Sequence, residues 1–241
     1  MGKNRPLLHR TSLAARLLPA ASLLWAVCYA VLALVRLIPL EQLIVLGDIY
    51  QLVLGFGAMA VLFARMKSAR RKYVFLGTGL AVFSWTAGQL FWFSYTLLMD
   101  SPLPYPSVGD LGFTGAYFFL IGVIGLLGKN AVRSPFAPLA FLLLLVPAWL
   151  AFSQSTSAVK LYNVVLGSAA AYTLYKVLPL AGRKSCQWFF AGIILLVFTD
   201  VLFMVSVVYF RDSFTLTSAP LYPLALSILS YGVLKGKEDD T

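Results

Sequence analysis

The sequence predicts an all-α polytopic membrane protein of eight transmembrane helices, N-in/C-in, built as two parallel four-helix repeats. Three observations carry that reading. Of 241 residues, 60% are hydrophobic and only 12% charged, with a mean hydropathy of +0.85, more apolar sequence than a soluble core can use. The apolar residues gather into runs of about 20, the length that crosses a hydrocarbon layer of about 30 Å. The basic residues lie in short clusters between the runs and favour alternate connections, as topology signals do. Spans of this number leave no room for a folded water-soluble domain, which excludes a kinase, a cyclase or a nucleotide-binding module within the chain.

The spans fall near residues 17–38, 43–64, 73–98, 111–128, 135–153, 161–179, 187–209 and 217–234. The first follows Lys3, Arg5, Arg10 and Arg16. It has no convincing small-x-small cleavage site and is too long for the core of a signal peptide, so it reads as a helix. With the N-terminus inside, Arg65, Lys67, Arg70, Arg71 and Lys72, then Lys129, Arg133, Lys176, Arg183, Lys184, Lys235 and Lys237 also fall inside. Of the 19 basic residues only Arg36, Lys160 and Arg211 fall outside, a bias that losing or adding one span would scramble. The resulting organisation is a cytoplasmic basic tail at 1–16, a first four-helix repeat at 17–128, a second at 129–234 and a cytoplasmic tail at 235–241.

The repeat rests on self-comparison. Residues 49–101 align without a gap on 161–213, with 14 of 53 pairs identical. Ile49-Tyr50-Gln51-Leu52-Val53-Leu54-Gly55 matches Leu161-Tyr162-Asn163-Val164-Val165-Leu166-Gly167, Arg71-Lys72 matches Arg183-Lys184, and Asp100-Ser101 matches Asp212-Ser213. Two membrane segments share apolar letters by composition alone, so the polar matches carry the weight. An even number of spans per unit makes the copies parallel, about an axis along the membrane normal. The halves diverge where Asp48 faces Lys160 and Gly88 faces Asp200.

Several chemistries are excluded by residue type. Cys28 and Cys186 form no CxxC pair and His9 is the single histidine, so a zinc site, a bis-His haem, a His-based triad and an HExxH site are not expected. Lys160 and Lys176 sit near span ends, where their stems snorkel to the interface rather than form a buried Schiff base. No cofactor, no metal and no nucleic-acid partner is expected, because the positive charge is scattered among connections and not laid along one face. The Gly55/Gly57 and Gly77/Gly79 pairs suit close helix packing.

The most distinctive stretch is Gly88-Gln89-Leu90-Phe91-Trp92-Phe93-Ser94-Tyr95, followed by Pro102-Leu103-Pro104-Tyr105-Pro106-Ser107-Val108-Gly109-Asp110 and then Tyr117. It resembles the multi-span N-terminal membrane sensor (input) regions of bacterial signalling proteins with GGDEF, EAL or histidine-kinase output domains. In those a glycine and acidic pair, an aromatic cluster and a P-x-P-S-x-A-D loop recur in the same order. Gln89 stands where that pattern has an acid and Gly109 where it has alanine, and an echo appears at Ala219-Pro220-Leu221-Tyr222-Pro223-Leu224. The resemblance implies a sensor in the bacterial cytoplasmic (inner) membrane, here without an output domain, acting through a cytoplasmic output protein or as a homodimer. The loop also has a purely structural reading, with Ser107 capping the next helix and Asp110 in its first turn.

The candidate ligand-binding residues are Gln89, Asp200, Trp85, Trp92, Tyr95, Asp110 and Tyr117. Asp200 lies well inside a span, where an acid costs about 2.5 to 3.5 kcal/mol on insertion scales and must find an interior partner. Gln89 lies at a similar depth in the other repeat and is the expected partner. Asp48 and Arg36 flank the first outer turn and are expected to clamp it. The aromatics suit either a pocket wall or an interfacial belt. The expected function is a sensory or signal-transduction module that binds a small, lipophilic molecule between its repeats within the lipid bilayer. A small, proton-coupled transporter is the alternative. An intramembrane enzyme comes third, because one buried acid without a histidine or a neighbouring carboxylate is a thin catalytic set.

Overall fold

The computed structural model describes residues 5–67, 69–99, 106–128, 157–209 and 218–235, and among them every regular element is helical. They are α1 (Arg5–Val35), α2 (Leu40–Met66), α3 (Lys72–Met99), α4 (Val108–Leu127), α5 (Ser157–Val177), α6 (Gln187–Tyr209) and α7 (Leu221–Lys235). Short 3-10 turns at Leu178–Leu180 and Lys184–Cys186 join α5 to α6. Among the described residues, five helical stretches are long and apolar enough to cross a membrane: Arg16–Val35, Leu40–Met66, Lys72–Met99, Val108–Leu127 and Lys184–Val205. Together they are compatible with a multi-pass membrane protein. The fifth predicted span, 135–153, lies outside the described residues, as do much of the loop 102–110, the aligned pairs Asp100-Ser101 and Asp212-Ser213, and the tail beyond Lys235.

Three helices depart from the predicted spans, the first being α5, which covers the predicted span 161–179 from Ser157 on but is not among the five stretches apolar enough to cross a membrane. α1 starts at Arg5 and not near Leu17, so most of the basic tail is a helical extension. Its leucines and alanines favour helix, and Pro6 is tolerated in a first turn. The predicted span 217–234 becomes a helix of 15 residues starting at Leu221, about 22 Å long at 1.5 Å per residue and so too short to cross about 30 Å alone. Its environment explains how that is tolerated. α7 is buried on nearly all sides, against α1, α2, α3 and α6, and the turn ahead of it is sheltered at Ala219 and Pro220. A helix with no lipid face has no need of an apolar one. Ser227 and Ser230 are accordingly fully buried, with Ser227 sharing a 2.6 Å hydrogen bond with Ser22 of α1 and Ser230 donating to the Leu226 carbonyl.

Neighbouring helices pack antiparallel where small residues let backbones meet. In α3 and α4, a Cβ on Gly88 would lie 2.5 Å from the Gly109 carbonyl oxygen and one on Gly112 would lie 2.5 Å from that of Ser84, so any larger residue would force the helices apart. The same device recurs between α6 and α7, where a Cβ on Gly192 would meet the Leu229 backbone nitrogen at 2.5 Å. Gly55, Gly77 and Gly79 press against Thr86, Val123 and Phe63, whereas Gly57 has only ordinary contact with Leu18. α4 and α5 run parallel, tied at one end by Tyr162 Oη donating to the Asp110 carbonyl at 3.3 Å and at the other by Arg183 Nη1 donating to the Leu127 carbonyl at 2.9 Å. Gly128 and Ser157 therefore lie at opposite ends of the bundle.

The main core runs through α2 to α7, with Leu62, Trp85, Tyr117, Leu120, Leu166, Phe189, Ile193 and Leu229 among its largest enclosed side chains. A small second cluster of Tyr29, Leu43 and Ala219 joins α1, α2 and the entry to α7. Leu17, Leu24 and Leu34 of α1 are more than half exposed, an apolar face suited to lipid and not to water.

Candidate functional site

The polar residues that the apolar helices cannot leave in lipid converge on one cavity of about 280 Å³. It lies toward the end of the bundle where α1 passes to α2, between α2, α3, α4, α5, α6 and α7. Ile44, Asp48 and Gln51 enter from α2, Gln89, Trp92 and Thr96 from α3, and Phe113 from α4. Tyr162 and Leu166 come from α5, Asp200 and Phe203 from α6, and Ser218, Ala219 and Tyr222 from the start of α7. That is a small site with a mostly apolar wall and a few placed polar groups, the usual make-up of a ligand pocket.

Two carboxylates open into it, each held by a different chemistry. Asp200 is buried at 3% exposure. It is bracketed by phenols, Tyr222 Oη donating to Oδ1 at 2.6 Å and Tyr117 Oη donating to Oδ2 in a very short contact. Asp48 is held by amides: Gln89 Nε2 donates to its Oδ1 at 2.9 Å, and Gln51 Nε2, one turn along α2, reaches the same oxygen at 3.4 Å. The second bond is at the long end of the useful range and contributes less. Both amides therefore serve one oxygen, and no described residue donates to Asp48 Oδ2.

Two expected pairs are thus replaced. Gln89 does not hydrogen-bond Asp200, although both line the same cavity, because Asp48 on the antiparallel α2 lies nearer to it than α6 does. The Arg36–Asp48 clamp gives way to the same contact: Asp48 turns to α3, while Arg36 ends α1 in the left-handed region at φ 53° with its side chain exposed. A single non-glycine residue can hold that conformation, and here it reverses the chain between α1 and α2.

The predicted site residues separate into three groups. Gln89, Trp92 and Asp200 line the cavity. Trp85 and Tyr117 stand behind its wall, with Trp85 packed at 5.0 Å from the Tyr222 ring and 5.5 Å from that of Phe113, and Tyr117 reaching the cavity only through Asp200. Tyr95 and Asp110 lie elsewhere. Tyr95 is half-buried beside Phe91 with ring centroids 6.4 Å apart. Asp110 closes a capping box, its Oδ2 accepting from the Ser107 backbone N–H at 2.5 Å and from the Ser107 hydroxyl at 2.9 Å. That is the structural reading of the loop, and it starts α4 where the sequence placed a cap.

Asp48, Gln51, Tyr162, Phe203 and Tyr222 were not foreseen as cavity residues. For Asp48 a signal existed: it lies eight residues into α2, about 12 Å along the helix, too deep for a turn residue and deep enough to need an interior partner. Gln51 follows from it as the neighbour one turn on. Tyr162 and Tyr222 carry no such mark, since tyrosines near helix ends normally sit in the interfacial belt.

No protein-family model matches the chain, and neither the curated proteins nor the solved structures contain a match to it.

Proposed function

We propose that the chain is a membrane-embedded sensory module that binds a small, lipophilic molecule in this cavity and converts its presence into a displacement of α7. In this reading it spans the bacterial inner membrane eight times, N-in and C-in, as two parallel four-helix repeats. The cavity lies between helices of both, and a cytoplasmic output protein or a second copy of the chain receives the signal. One observation carries the proposal: Tyr222, in the first turn of α7, donates directly to Asp200 in the cavity wall at 2.6 Å. A ligand that competes for Asp200 acts on α7 at that bond. α7 is enclosed by four other helices, so a shift at one end is transmitted along a packed rod rather than dissipated in lipid.

The test is to graft an output domain after Lys237 and follow its activity as membrane-permeant ligands are screened. Ligand-dependent activity that is lost in Tyr222→Phe supports the reading. Output that ignores every ligand and every membrane perturbation overturns it. A second reading, a small proton-coupled transporter, is favoured by the pair of carboxylates facing one cavity. Substrate flux into proteoliposomes that collapses with the proton gradient would establish it in place of the sensor.

A further inference from the structure

The chemistry of the cavity wall is lopsided. Two carboxylates, Asp48 and Asp200, face it, and among the described residues no lysine or arginine does. Their hydrogen-bond donors are neutral amides and phenols, which solvate a carboxylate without cancelling its charge. A buried carboxylate left uncompensated is costly, and a positive charge brought between two of them removes that cost. The Asp48 Oδ2 acceptor that no described residue uses, and the second acceptor site on each Asp200 oxygen, are where such a charge would be hydrogen-bonded.

The rest of the wall says what kind of cation fits. Trp92, Phe113, Phe203 and Tyr222 contribute aromatic surface, with Trp92 and Phe203 set edge to face at 75° and 6.2 Å. Aromatic faces attract weakly hydrated organic ammonium groups and replace part of their solvation. A small inorganic cation needs a cage of several oxygen or nitrogen ligands. Among the described residues no three His, Cys, Asp or Glu side chains gather in one place.

From this juxtaposition of two acids, no base and an aromatic wall, we propose that the ligand is a small organic cation, a protonated or quaternary amine with an apolar body, its nitrogen between Asp48 and Asp200. The proposal rests on the cavity being a ligand site and specifies the ligand's charge.

The test uses the full chain in nanodiscs at neutral pH, titrated calorimetrically with 2-phenylethylamine, a cation under these conditions, and with 2-phenylethanol, its neutral isostere. The amine should bind at least about tenfold more tightly than the alcohol. Asp48→Asn and Asp200→Asn should each remove most of that preference while leaving alcohol binding unchanged, and Glu41→Gln, on the exposed side of α2, should change neither. If an aspartate variant fails to fold, the amine-to-alcohol ratio in the unmodified chain decides the matter alone. Equal or tighter binding of the alcohol overturns the cation proposal. Leu166→Trp, which fills the cavity, then separates the two ideas: alcohol binding lost in this variant keeps the cavity as a ligand site for neutral molecules. Binding of neither probe overturns both.

Discussion

Gln89 Nε2 donates to Asp48 Oδ1 at 2.9 Å across the α2/α3 contact, joining an acid of one helix to the amide of the next within an apolar bundle. A hydrogen bond of this kind is worth little until one partner is removed, because the group left behind keeps its desolvation penalty. Gln89→Leu should therefore lower stability by about 1–3 kcal/mol, read as thermal unfolding in detergent. Adding Asp48→Leu should recover part of the loss, since replacing both partners by apolar groups removes the orphan. A double variant less stable than Gln89→Leu alone would show that Asp48 is stabilised by something other than this pair.

The phenols on Asp200 should behave as a unit. Tyr117→Phe and Tyr222→Phe each delete one donor to a carboxyl group that is 3% exposed, at an expected cost of about 1–3 kcal/mol each. Because both act on one group, the double variant should lose a different amount from the sum of the singles. Strict additivity in a thermal double-mutant cycle would mean the two phenols do not share Asp200.

Close backbone contact makes a sharper contrast between glycines. Gly112→Val should sharply reduce the yield of folded protein, because a Cβ there already lies 2.5 Å from the Ser84 carbonyl oxygen and the α3 backbone cannot yield as a side chain would. Gly122→Ala, ten residues further along α4 where a Cβ meets nothing within 4 Å, should be neutral or stabilising by up to about 1 kcal/mol through helix propensity. Monodisperse yield on size-exclusion chromatography reads both. Similar yields for the two variants would remove the close-packing account of the α3/α4 contact.

The direction of the helices can be probed from outside the cell. With Cys28 and Cys186 replaced, a membrane-impermeant thiol reagent should label a cysteine at Ser101 or Ser213 and spare one at Ser68 or Ser185, as the distribution of basic residues requires. Labelling at Ser68 in intact cells would invert or break the eight-span topology.

Hydropathy and charge are local properties, and what they determined is local: an all-helical chain of membrane character, with α2, α3, α4 and α6 starting and ending within a few residues of the apolar runs. The capping box at Ser107 and Asp110 was legible for the same reason, since its partners are three residues apart and their geometry belongs to one turn. The burial of Asp200 was legible too, because an acid deep in an apolar run has no other low-energy place. What the run of residues left open was which neighbour each polar group would meet. Gln89 and Asp200 were matched by depth alone. Depth fixes position along the bundle axis, whereas partnership depends on which helices adjoin and how each is rotated about its own axis. Those rotations are set by contacts distant in sequence, such as Gly88 against Gly109 and Gly192 against Leu229. The central place of α7 is likewise a tertiary fact. Its serines and short length make sense only when four other helices surround it, so a segment that hydropathy arithmetic reads as one more span became the rod at the middle of the bundle and one wall of its cavity.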